Sequence, residues 1–133
     1  MAAADRFAES DFVGLCFVNL VDFDTLWGHR RDAVKYTEGL NVFDRWLGGF
    51  LAKMKSDDLL IITADHGCDP SFAASTDHTR EYTPCIIYSK GIICEDLGTR
   101  ESFSDIAATV AQYLGIELSC DGTPMPIKFR GNI

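Results

Sequence analysis

Two hydrophobic rhythms run through this chain, and the switches between them place its elements. Residues 13–21, Val-Gly-Leu-Cys-Phe-Val-Asn-Leu-Val, form a nearly unbroken apolar run. A strand buried on both faces reads this way. Asp22-Phe23-Asp24 and a turn-like Thr-Leu-Trp-Gly follow, and the period then changes. Leu40, Phe43, Leu47, Phe50 and Met54 step by three and four, which predicts an amphipathic helix from about Arg31 to Met54. Leu59-Leu60-Ile61-Ile62-Thr63 predicts a second buried strand, ending in Ala64-Asp65-His66-Gly67. Strand, helix and strand at this spacing make a βαβ unit with parallel strands.

Residues 67–83 are polar and aperiodic, a long loop. Pro84 opens a third predicted strand over 84–89, at a position where its missing N–H is tolerated. Ser102-Phe103-Ser104-Asp105 reads as a capping box with Asp in place of Glu or Gln. Phe103, Ile106, Ala107, Val110 and Leu114 continue at helical spacing, and Gly115 ends that helix. The tail from Glu117, with Gly122, Pro124 and Pro126, predicts irregular structure. No repeat or low-complexity tract interrupts the pattern. The expected fold class is α/β, a mostly parallel sheet flanked by helices, built as a single domain over residues 1–133.

Composition narrows the function classes. A hydrophobic share of 47% is that of a globular protein. The net charge of −8 and the lack of any basic run exclude nucleic acid and anionic membrane as expected partners. Five cysteines make an odd count with no C-x-x-C pair, so neither a zinc ribbon nor a disulfide framework is expected. Cys16 and Cys85 lie in apolar runs and read as buried small hydrophobes. Cys68, two residues after His66, reads as a bystander thiol rather than a ligand. The N-terminal residues carry acidic groups and no apolar core of a signal peptide. No apolar stretch reaches membrane-spanning length, so the expected compartment is the cytoplasm.

The chemistry lies in the histidines. All three sit in acidic company: Asp24-x4-His29, Asp65-His66 and Asp77-His78. Any one such pair is readily a cap or a surface ion pair. Three pairs that hold every histidine in the chain point instead to metal. Oxygen and imidazole together suit Mn, Mg or Zn. Five potential ligands exceed one tetrahedral site, which suggests two ions. Topology agrees: Asp24 follows one predicted strand, Asp65 and His66 follow a parallel neighbour, and α/β sheets bind ligands at that edge.

Three segments then resemble a known family. Asp22-Phe-Asp-Thr-Leu-Trp-Gly-His29-Arg-Arg-Asp32, Thr63-Ala-Asp-His-Gly-Cys-Asp-Pro70 and Thr76-Asp-His-Thr-Arg-Glu-Tyr82 are similar to phosphopentomutase, of the alkaline phosphatase superfamily. The Asp-His-Gly element is common to the superfamily; the first and third segments are more specific. The resemblance runs from about Asp11 to about Gly115. It implies part of an alkaline-phosphatase-like core, with Asp65 and His66 on a first metal and Asp24, His29 and His78 on a second, both manganese. Asp22 has no assigned metal role. Arg30 and Arg31 are expected at Asp32 or the surface before phosphate, and Thr79, Arg80, Glu81 and Tyr82 are expected to brace the His78 loop. The implied reaction interconverts ribose or deoxyribose 1-phosphate and the 5-phosphate, a step of nucleotide and pentose phosphate metabolism. The family also carries an N-terminal Asp for the first metal, a phosphate-carrying threonine and a cap domain that holds the pentose. Nothing in this chain matches them, so no catalytic nucleophile is assigned and the chain alone is expected to be inactive. Alternatives are a metal-binding remnant or a subunit completed in trans, and a piece of a related phosphoglycerate mutase or phosphatase. Expected partners are a pentose phosphate, an N-terminal partner chain and a second copy of this chain.

Overall fold

In the computed structural model, residues 1–130 are described. Their elements run α1 (Ala2–Ala8), a π-helical turn (Phe23–Gly28), α2 (Ala33–Lys53), β1 (Leu60–Thr63), β2 (Cys85–Tyr88) and α3 (Ser104–Leu114). They fall into two compact units, Met1–Lys90 and Gly91–Ile133.

In the first unit, α2 starts two residues later than its periodicity suggests. Arg31 has φ of 55°, outside the right-handed helical region. Asp32 then caps the helix, its side chain accepting from the Lys35 N–H at 2.9 Å. The helix ends where Met54 turns extended, and Met54 is the buried apolar side chain of this unit among the described residues. Two groups dock on α2. The Asp5 carboxylate of α1 accepts from Trp46 Nε1 at 2.8 Å and from Lys53 Nζ at 3.0 Å. The π-turn is held by aromatic edges: Phe23 meets Trp27 at 5.0 Å and Tyr36 of α2 at 5.2 Å.

β1 and β2 match their predicted positions closely, but β1 does not take the predicted parallel partner, residues 13–21. β1 pairs with β2 and runs antiparallel to it, with Leu60 opposite Tyr88 and Thr63 opposite Cys85. The mostly parallel sheet expected from the βαβ reading is therefore not seen among the described residues. Residues 13–21 form no strand. They are largely exposed, with Val13 at 94% and Phe17 at 81%. The physical reason is that a strand exists only through a neighbour that takes up its N–H and C=O groups. Among the described residues β1 pairs with β2, and no strand pairs with 13–21, whose Val21 carbonyl instead accepts from Asp24 and Thr25 of the following turn. Cys16 and Cys85 are correspondingly exposed rather than buried.

The second unit is built around α3. Gly115 closes it in the left-handed conformation (φ 66°), as predicted. Its start departs from the capping box. Ser102 Oγ accepts from the Ser104 N–H, and Asp105 turns inward instead. Asp105 is buried, accepting from Arg100 Nε at 2.7 Å and from the Thr123 N–H at 2.8 Å. Thr109 Oγ1 donates to the Asp105 carbonyl and accepts from the Met125 N–H. The irregular tail predicted from Glu117 is thus anchored, and Met125 joins Ala108 and Ala111 in the core. Among the described residues no helix is long and apolar enough to cross a membrane.

Candidate metal centre

All five predicted ligands lie in the first unit, on three pieces of backbone. The π-turn carries the first piece. In an α-helix, residues five apart point about 140° away from each other. Here the His29 N–H bonds the Asp24 carbonyl at 2.9 Å, an i→i+5 closure that widens the turn. The widening brings both side chains to one face, and His29 Nε2 lies 3.3 Å from Asp24 Oδ1. Gly28 makes this closure possible, since a Cβ there would lie 2.8 Å from Cys68 Sγ and 2.9 Å from the Phe23 carbonyl.

β1 carries the second piece, delivering Asp65 and His66 past its carboxyl end. Gly67 then passes so close to Glu81 that a Cβ would sit 2.5 Å from its carbonyl oxygen and 2.6 Å from its nitrogen. This approach brings the third piece, residues 69–81, back against the segment that follows β1, with Gly67 bridged to Thr79. Thr79 Oγ1 accepts from the Asp69 N–H and donates to Glu81 Oε2, so Thr79 and Glu81 brace the loop as expected. Tyr82 does not share in this, being 88% exposed. His78 arrives stacked on His66, ring centroids 3.6 Å apart and 14° from parallel.

The result is a nearly equilateral triangle. Asp24 Oδ1 lies 3.3 Å from His29 Nε2 and 3.3 Å from His78 Nε2, and the two nitrogens lie 3.2 Å apart. His66 Nε2 flanks it, 3.8 Å from Asp24 Oδ1. Asp65 is 91% exposed and reaches the group only through His66, at 3.7 Å. The fold therefore brings Asp24, His29 and His78 into one ligand-like set, with His66 beside it and Asp65 at the rim.

Hydrogen bonds behind the rings decide what faces the centre. His29 Nδ1 lies 2.6 Å from the Thr76 carbonyl, and His66 Nδ1 lies 3.1 Å from the Gly67 carbonyl. A carbonyl only accepts, so these Nδ1 atoms carry protons, the tautomer that leaves Nε2 of His29 and His66 free to act as a ligand facing inward. Asp24 Oδ1, at their focus, is buried and has no hydrogen-bond donor. Asp24 Oδ1 and the Nε2 atoms of His29 and His66 thus converge on one point, with His78 Nε2 hydrogen-bonded to His29 Nε2 at 3.2 Å. Charge-assisted N–H···O contacts run at about 2.7–2.9 Å, shorter than the 3.3 Å from Asp24 Oδ1 to either nitrogen. Ligands about 2.0–2.2 Å from a shared cation lie roughly 3.0–3.5 Å apart. The donor set fits a divalent ion.

Neighbouring groups take other tasks. The Cys68 thiol is pushed up by burial, with the Asp24 and Glu81 carboxylates adding and Arg31 opposing. It therefore stays protonated at neutral pH and packs as a bystander. Arg31 points neither to Asp32 nor to a free surface. Its guanidinium donates to the carbonyls of Ser75, Asp69 and Asp77 in the loop before His78. Arg30 and Asp22 are exposed, and Asp22 makes no capping bond from its side chain. A cleft of about 300 Å³ in the second unit, lined by Thr109, Gln112, Tyr113, Ile127 and Phe129, holds none of the predicted ligands. Sequence reasoning missed the Arg31 clamp and the π-turn. The only trace of either was the Arg-Arg-Asp run before α2.

Comparison with known proteins agrees with this geometry. The profile of the family described as the metalloenzyme superfamily matches residues 1–118. The chain belongs to the metalloenzyme superfamily. Within it the similarity is to phosphopentomutases. That of Syntrophotalea carbinolica is 58% identical over 79% of this chain and 27% of the relative. That of Acetivibrio thermocellus is 52% identical over the whole chain and 34% of the relative. That of Lachnoclostridium phytofermentans is 48% identical over 88% of the chain and 30% of the relative. The chain thus spans about a third of the length of these metalloenzyme relatives.

Proposed function

We propose that this chain is the metal cradle of a phosphopentomutase, which interconverts ribose or deoxyribose 1-phosphate and the 5-phosphate. In this reading Asp24, His29 and His78 hold one divalent ion, and Asp65 and His66 contribute to a second, both manganese. Bound there, the ions would polarise a phosphoryl group and offset charge on the attacking and leaving oxygens. The chain's own residues bind, orient and fix tautomers: the Thr76 and Gly67 carbonyls aim the imidazoles, and Thr79 with Glu81 sets the loop. The observation that carries the reading is Asp24 Oδ1, buried without a donor and ringed by three imidazole nitrogens.

The nucleophile and the pentose-holding part lie outside the motifs of this chain, so it is inactive by itself and works with further sequence, in cis or from a partner chain. The exposed apolar segment 13–21 supports the same view. A run of this kind is suited to burial as a strand in the parallel sheet of a fuller core, or against a second copy of the chain. The α/β core with a mostly parallel sheet belongs to that fuller assembly, and the cytoplasm is its proposed compartment.

A chimera tests the reading. The matching quarter of the Syntrophotalea carbinolica phosphopentomutase is replaced by the aligned part of this chain, and ribose 5-phosphate formation from ribose 1-phosphate is followed with Mn²⁺. Turnover that vanishes on Asp24→Ala is the expected result, with none from the isolated chain. A folded chimera without turnover, or turnover by the isolated chain, overturns it.

A further inference from the structure

The loop that presents His78 has little packing of its own. Residues 71–78 are all exposed. Two side chains tie it to the segment carrying Asp24 and His29: His29 itself, through Nδ1 at 2.6 Å from the Thr76 carbonyl, and Arg31, which reaches three carbonyls. Arg31 Nε donates to the Ser75 carbonyl at 2.6 Å, Nη1 to the Asp69 carbonyl at 3.1 Å, and Nη2 to the Asp77 carbonyl. The three acceptors span the loop from its first turn to the residue before His78. The arginine sits two residues after His29, so its guanidinium, alongside the His29–Thr76 contact, links two corners of the triangle.

Its backbone conformation points the same way. Arg31 is the one non-glycine residue with positive φ among those described, at 55°. That conformation is unfavourable for an L-residue. The turn's closing bonds, Arg31 N–H to the Gly28 carbonyl and Asp32 N–H to the Trp27 carbonyl, both at 3.0 Å, hold this conformation, and it aims the side chain at the three loop carbonyls.

We propose that Arg31 is a positioning residue for the metal centre: by clamping the 69–77 backbone it holds His78 in place and so sets divalent-ion affinity without touching the ion. The proposal rests on the metal-cradle reading above. Lysine cannot substitute, since a compact ammonium lacks the planar fork that reaches three acceptors at once.

The test uses the 133-residue chain and two variants, Arg31→Lys and Arg31→Gly. Glycine relieves the positive φ, so it removes the clamp without backbone strain. Amide hydrogen exchange is read first, in chelator. Both variants should speed exchange across residues 71–77 while α2 stays protected. Mn²⁺ affinity is read next, from the free-ion electron paramagnetic resonance signal. Both variants should bind roughly tenfold or more weakly, and either added to His78→Ala should weaken binding no further. Unchanged loop exchange overturns the clamp. A looser loop with unchanged Mn²⁺ affinity reduces Arg31 to a structural tie and overturns the positioning role. A wild-type chain that binds no Mn²⁺ sinks the metal-cradle reading itself and the proposal with it, an outcome recognisable because the clamp is still visible in the exchange data.

Discussion

Asp24→Asn should make the metal-free protein more stable and the Mn²⁺-treated protein less stable than wild type. Without metal, Asp24 Oδ1 is a buried acceptor with no donor, facing nitrogens at 3.3, 3.3 and 3.8 Å. A buried unsatisfied polar group costs about 1–3 kcal/mol. The Asp24 side chain keeps 35% exposure, which places it near the bottom of that range. An asparagine amide removes the charge and donates to His29 or His78 Nε2, for about 1 kcal/mol more. The expected gain is about 1–2 kcal/mol, a melting temperature several degrees higher for a chain of this size. With Mn²⁺ at a hundred times its dissociation constant, wild type gains about 2.7 kcal/mol, and the variant, having lost its anionic ligand, gains little. The assay is thermal and urea unfolding at pH 8, where free imidazole is neutral, in chelator and in Mn²⁺. The curves should cross. If Asp24→Asn is destabilised in chelator, the carboxylate is satisfied by imidazolium charge, and the triangle is an ion-pair network rather than a cradle.

Two further predictions concern the frame around the site. Gly67→Ala places a methyl 2.5–2.6 Å from the Glu81 backbone, which cannot swing aside as a side chain would. Such overpacking costs about 1–3 kcal/mol; an unchanged urea midpoint would mean that the two segments do not approach as described. In the second unit, the Thr123 N–H first, and then Arg100, hold the Asp105 carboxyl below the usual carboxylate range, against an opposing effect of burial. A lowered folded value means that the unfolded chain binds more protons in that window. The contribution is therefore complete above the unfolded value of about 3.9 and is lost as pH falls through the folded one. Asp105→Asn should lower the midpoint at pH 7 and flatten its decline between pH 4 and 3; parallel wild-type and variant profiles would refute this.

The elements were legible where side-chain period settles them. α2 was placed to within two residues and β1 and β2 to within one, because their apolar spacing is a local property. Pairing was not legible. A continuous apolar run records that both faces want burial, and says nothing of which neighbour supplies the hydrogen bonds. That is why residues 13–21 read as a strand parallel to β1, and why the antiparallel pairing of β1 with β2 is not written in the pattern.

The site divides along the same line. The ligand candidates stood out because carboxylate beside imidazole is written in residue identities, and three of the five share one triangle. What orients them is written in backbone geometry. The Asp24–His29 approach depends on an i→i+5 turn that Phe-Asp-Thr-Leu-Trp-Gly does not announce. The inward Nε2 atoms are fixed by carbonyls of Thr76 and Gly67, groups that every residue possesses. Arg31 acts on three more carbonyls, 38 to 46 residues away. A sequence names the atoms able to bind a cation; whether they converge is decided by backbone acceptors that carry no residue-specific signature. It follows that substitutions at Arg31, Gly67 and Gly28, none of them a ligand, should disturb this centre through His78, His66 and His29 respectively, each by way of the backbone that aims it.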